Sequence, residues 1–154
     1  MNRVNIRAEE VPLPAWAGAM ECFLQKVLSS LQKDNWELSV LLCQDVFMRK
    51  LNAEYRNRDE STDVLSFSLG EMVQDGDGVE RWLPGDIVIS LETLAENARY
   101  FKTSEDEELR RLLVHGILHL DGFDHVSNDP LEPMLARQEA ILAQFGGERI
   151  YGDN

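Results

Sequence analysis

The chain has 154 residues, of which 44% are hydrophobic and 28% charged, with 28 acidic against 15 basic side chains and a formal net charge of −13. These values suit one globular domain with one hydrophobic core and exclude wholesale disorder. Globally the charge repels nucleic acid and membrane surfaces alike, so any contact with RNA has to rest on a local basic patch.

No stretch approaches the roughly 18 uninterrupted apolar residues of a membrane span. The opening MNRVNIRAEEVPLPAW has no apolar core for a secretory signal, so a cytoplasmic location is expected. Cys22 and Cys43 form no metal or redox motif and read as two buried, reduced thiols. Arg49, Lys50, Arg56 and Arg58 make one basic cluster; Arg99, Lys102, Arg110 and Arg111 make another. A solvated helix face is the ordinary explanation of each.

In chain order, NRVNIRA (2–8) alternates apolar and polar residues and predicts a first strand. Pro12 and Pro14 precede a helical pattern in which Trp16, Met20, Phe23, Leu24, Val27, Leu28 and Leu31 recur at three- and four-residue steps. WELSVLLCQ (36–44) predicts the second strand, and Asp45 is placed to cap a short helix through Phe47, Met48, Leu51 and Tyr55. Polar NRDEST (57–62) ends that helix, and DVLSFSLG (63–70) reads as the third strand. EMVQDGDGVERWLPG (71–85) is turn-rich and predicts a hairpin connection; its DGDG lacks the further ligands of a calcium loop. GDIVISLE (85–92) predicts the fourth strand, followed by a helix over 92–102. The expected architecture is α+β, a single domain over residues 1–154, with a mixed sheet of about four strands packed with about five helices. Trp16 and Trp36 read as core; Trp82, beside the turns, is a disfavoured candidate for stacking on a base.

The next helix carries the chemistry. Ser104 followed by Glu107 is a capping box, and ELRRLLVHGILHL then runs to about Leu120. It is apolar nearly all round, as a buried helix is. All three histidines of the chain fall in HGILHLDGFDH (115–125). His115 and His119, four apart, stand one turn above the other, and Glu108 falls on the same side. Gly122 supplies the backbone freedom to turn the chain back so that His125 closes a three-histidine metal site. Three protein ligands leave a fourth position for water, the mark of a catalytic zinc; a closed structural site would need Cys22 or Cys43. Zinc is the expected ion, although imidazole ligation alone also admits nickel, copper or iron.

The spacing is nearly the H-E-x-x-H-x-x-G-x-x-H of a zinc protease family, but Gly116 stands where the protease carries its glutamate base. Peptide hydrolysis by the usual route is therefore disfavoured. RNA needs an activated water less, because the ribose 2′-OH can attack its own phosphate while a metal and one cation stabilise the developing charge.

In HGILHLDGFDH, LNAEYRNRDESTDVLSF (51–67) and PGDIVIS (84–90), the chain resembles the YbeY family of bacterial metal-dependent endoribonucleases and rRNA maturation factors. The resemblance runs from about Leu51 to Glu139 with its elements in the same order. It implies an α+β fold with zinc in a cleft beside the buried helix, held by His115, His119 and His125. It also implies cleavage of single-stranded RNA in 16S rRNA 3′-end maturation and ribosome quality control, with contact to the small ribosomal subunit and its proteins. Arg56 matches the arginine of the family's YR-x-[KR]-D segment and would be the phosphate-binding cation. Ser68 departs from the family's common SFP, and Asp121 fills a variable position. Asp121 and Asp124 are the candidate proton shuttles, with orienting a histidine the other role open to Asp124; Glu108 is a further supporting candidate. A metallopeptidase-like hydrolase, opposed by Gly116, and a non-catalytic ribosome-assembly factor with a structural zinc are the competing readings. The sequence sets no oligomeric state.

Overall fold

The computed structural model describes residues 1–123 and 132–151. The elements in chain order are β1 (Arg3–Ala8), α1 (Ala17–Ser30), β2 (Glu37–Cys43), α2 (Asp45–Arg56), β3 (Val64–Gln74), β4 (Glu80–Ser90), α3 (Leu91–Tyr100), α4 (Glu105–Leu120) and α5 (Pro133–Gln144). The sheet order is β1-β2-β4-β3, with β1, β2 and β4 parallel and β3 antiparallel to β4 at one edge. This is the expected α+β architecture with a mixed four-stranded sheet.

Alternation along the strands separates two apolar layers. Leu38, Val40 and Leu42 of β2 and Ile87 and Ile89 of β4 join the larger core with α1, α4 and α5. Cys43, Leu65 and Val88 point to the opposite face and pack with Met48 of α2. The sheet is therefore sandwiched, with α4 on one face and α2 on the other. Around an edge strand between two such layers, residues of both can meet.

Three expectations need correction. The third and fourth strands run well past their predicted ends, and only residues 75–79 turn. Outside a register shift between Ser68 and Glu71, Glu71 through Gln74 pair with Leu83 through Glu80 as a two-stranded arm. The β3 side of that arm is exposed, Met72 at 60%, so no buried face imposed a legible apolar alternation on it. Asp75 closes the turn by accepting from the backbone N–H groups of Asp77 and Val79 and from Arg81 Nε. Ser68 accordingly lies inside the strand.

Cys22 is exposed, on the side of α1 away from Met20, Phe23, Leu24, Val27 and Leu28. Only Cys43 is buried, and burial first, with Glu10 and Asp45 adding repulsion, pushes its thiol up to about 12. Asp45 is the first residue of α2 rather than its cap, which is Gln44. Its carboxylate instead accepts from the hydroxyls of Ser90 and Thr93 at 2.6 Å and Ser61 at 2.9 Å. That node ties the start of α2 to β4 and α3, and so fixes where the far end of α2 delivers Arg56.

Helix α4 is as read. Ser104 caps it, its hydroxyl accepting from Glu107 N–H at 3.0 Å. At the other end Gly122 has φ +94°, and Phe123 N–H and Gly122 N–H reach the carbonyls of Leu118 and His119 at 2.9 and 3.1 Å. This is a Schellman closure with glycine at the left-handed position. Trp36 is buried; Trp16 stacks on Tyr151 at 4.8 Å, and Trp82 packs against the core. None of the three lines the cleft described below.

Candidate functional site

Within α4, Arg111, His115 and His119 are the half-buried positions in a helix otherwise buried from Glu108 onward. At i, i+4, i+8 they form one stripe, and its last two members open on a cleft of about 320 Å³. The opposite wall comes from the edge strand through Val64, Leu65, Ser66 and Ser68. Arg56, the last residue of α2, completes it from around the β3 edge. Asn57, in the left-handed conformation, stops α2 at that point.

Arg56 is held in place by two contacts. Its Nη2 donates to the Ser66 carbonyl at 2.7 Å, and its guanidinium lies 5.5 Å from the centroid of the Phe67 ring. Its basic neighbours are differently engaged: Arg49 binds Asp59 at 2.8 Å, and Arg58 lies 3.7 Å from Glu60. In the second cluster Arg110 is buried against Asp106 at 2.9 Å, and Arg111 lies 3.7 Å from Glu139. Among the described residues no ion pair engages Arg56. Of the two clusters, Arg56 is the member presented to the cleft.

The imidazoles of His115 and His119 have centroids 5.1 Å apart at an interplanar angle of 73°. His115 Nδ1 lies 2.8 Å from the Oε1 of Gln138, a buried residue of α5. With Nδ1 so engaged, Nε2 is the nitrogen a metal would take. Two adjacent imidazoles on one rigid helix, at its negative end, suit a borderline-soft cation such as zinc. Among the described residues no group of three possible ligands comes together. The third expected ligand, His125, and the candidate shuttle Asp124 lie outside the described residues.

Asp121 is drawn off by Lys33, whose Nζ lies 2.7 Å from its Oδ1. Glu108 is buried beside Arg111 and Asp63, two turns from His115; burial first, then repulsion from Asp63, raises its carboxyl above the usual value despite Arg111. Cys43 packs on the other face of the sheet, and Cys22 sits on the outside of α1; neither lines the cleft. Gln138 went unread in the sequence, although its signal is there: a polar residue inside the buried stripe Met134, Gln138, Ile141.

Gly116 has a second reason to be glycine. A Cβ there would stand 2.8 Å from Ile87 Cδ1, 3.0 Å from Cγ1 and 3.1 Å from Cγ2. The position faces the sheet across a close helix–strand contact, so any side chain at 116 requires Ile87 to shift.

Two imidazoles set against one arginine across an edge-strand cleft form an arrangement suited to a hydrolase that handles a phosphate group. Comparison with known proteins narrows this. The family description Endoribonuclease YbeY matches residues 3–146. A Treponema denticola protein named Endoribonuclease YbeY is 48% identical over 132 residues, 86% of this chain and 85% of the relative. One of the same name from Treponema pallidum (strain Nichols) is 44% identical over 144 residues, 94% of this chain and 90% of the relative. A solution structure from Thermotoga maritima aligns with TM-score 0.63 and 25% identity, over 98% of this chain and 97% of the other. The chain belongs to the YbeY endoribonuclease family.

Proposed function

We propose that the protein is a zinc-dependent endoribonuclease that cuts single-stranded RNA, acting in the cytoplasm in 16S rRNA 3′-end maturation and ribosome quality control. The observation that carries the reading is Arg56 facing His115 and His119 across one cleft. RNA cleavage needs positive charge at the phosphate, and here a guanidinium and a helix-borne imidazole pair bracket the space where a phosphate would lie. His115, His119 and His125 would hold the ion, which when bound supplies a Lewis acid for the phosphoryl oxygens.

Arg56 binds the scissile phosphate and stabilises its charge as the ribose 2′-oxygen attacks phosphorus and the 5′-oxygen leaves, giving a 2′,3′-cyclic phosphate end and a 5′-hydroxyl end. The Ser66 and Phe67 contacts hold the guanidinium in position, so little reorganisation is needed during reaction. Asp124 takes the proton of the attacking 2′-hydroxyl and returns one to the leaving 5′-oxygen, since Asp121 is paired with Lys33. With a net charge of −13, affinity for free RNA is weak and falls steeply with salt. Recruitment through proteins of the small ribosomal subunit supplies the rest. Among the described residues no helix is long and apolar enough to cross a membrane.

The peptidase alternative lacks its base, and the Ile87 contact disfavours a side chain at that position. Purified protein and His115→Ala are compared on single-stranded rRNA and on casein. RNA cut by the wild type alone, with casein intact, is the expected pattern. Casein cleavage, or RNA cleavage surviving His115→Ala, counts against the proposal.

A further inference from the structure

Gln138 belongs to neither the cleft wall nor the histidine motif, yet it is 5% exposed and set between Met134 and Ile141 on the buried stripe of α5. A primary amide in that setting costs stability unless it is hydrogen-bonded, so an apolar residue would serve packing better. Its Oε1 lies 2.8 Å from His115 Nδ1. We infer that Gln138 is a positioning residue: by accepting a hydrogen bond from Nδ1–H of His115 it fixes the ring's tautomer and rotation, so that Nε2 presents its lone pair to the metal. This rests on the zinc reading above for its consequence, though not for its geometry.

The logic is that of a neutral imidazole with two unlike nitrogens. A carbonyl oxygen can only accept, so the nitrogen facing it carries the proton and the other carries the lone pair. The hydrogen bond also resists rotation about χ2, which would otherwise swing Nε2 out of line with His119. An amide does this without adding negative charge beside the ligand, unlike the carboxylates that often occupy this role.

Helix α5 has other anchors, with Met134 and Ile141 buried in the core. Arg110 Nη1 reaches the Phe145 carbonyl at 3.4 Å, and Arg111 lies 3.7 Å from Glu139. Loss of the amide therefore changes the ring and not the docking of the helix.

Gln138→Leu, close in volume, and Gln138→Glu, which keeps an acceptor, are compared with the wild type by two readouts. The first is zinc affinity, by competition with a chromophoric chelator. The second is the His115 tautomer in metal-free protein, from imidazole nitrogen shifts, with thermal melts as the folding control. The expected result is a loss of about 10–100-fold in zinc affinity for Gln138→Leu, with the Nδ1–H preference lost. Gln138→Glu restores both. A leucine variant that binds zinc like the wild type and keeps the Nδ1–H tautomer overturns the inference. If the wild type itself takes up no zinc, the zinc reading falls, and the tautomer measurement alone then decides on Gln138.

Discussion

Arg56→Ala is expected to lower kcat on single-stranded RNA by about 100- to 1000-fold, the usual cost of deleting one preorganised donor to developing charge. The fold should barely register the change. Arg56 is exposed at the end of α2, and its hydrogen bond to the Ser66 carbonyl is solvent-accessible, so stability shifts by no more than about 0.5 kcal/mol. The loss is therefore in kcat at unchanged melting temperature. Arg56→Lys should recover only part of it, because a single ammonium cannot at once grip the strand carbonyl, lie over Phe67 and offer a fork to phosphate. Equal rates for Arg56→Ala and the wild type would remove Arg56 from the chemistry.

Substitution at Gly116 should act through packing. The added methyl of Gly116→Ala meets three Ile87 atoms at 2.8–3.1 Å, and Ile87 is fully buried. Overpacking of this kind costs about 1–3 kcal/mol, against a helix-propensity gain of about 1 kcal/mol for alanine over glycine. A net loss of about 1 kcal/mol is expected in urea denaturation. Gly116→Glu adds an unpaired carboxylate in the same place and should cost about 4 kcal/mol or more. Ile87→Val, which removes the nearest atom, should recover part of the alanine loss. Because 116 adjoins His115, any outward shift of α4 also widens the imidazole pair relative to Arg56. A Gly116→Ala variant as stable as the wild type would show that the contact relaxes freely and that only the chemical reading of this glycine stands.

The helix that carries the site was legible because several signals agreed there: the Ser104 cap, an apolar pattern all round, the i,i+4 histidines and the closing Gly122. Arg56 was legible as one of a basic cluster, and its family segment singled it out. What separates it physically is place: of the two clusters it alone lines the cleft, whereas Arg49, Arg58, Arg110 and Arg111 each meet a carboxylate elsewhere. Such pairings join residues distant in sequence or depend on local turns, and composition does not record them.

The ends of β3 and β4 were hidden for another reason. The outer half of β3 is exposed, so nothing selects an alternating pattern there, and the Asp-Gly pairs drew the whole segment toward a turn. The tight approach of Gly116 to Ile87 and the buried amide of Gln138 depend on packing between elements, and the sequence offers only their residue types. In both cases a residue that looked like an omission, a missing base or a stray polar side chain, turned out to answer to a neighbour.

The most direct test of the central claim is cleavage of single-stranded rRNA by protein stripped of metal with a strong chelator, then titrated with zinc and followed by circular dichroism. Activity is expected to vanish on stripping while the fold persists, and to return in full at one equivalent of zinc per chain. Metal-free protein that cuts RNA at the original rate would contradict it.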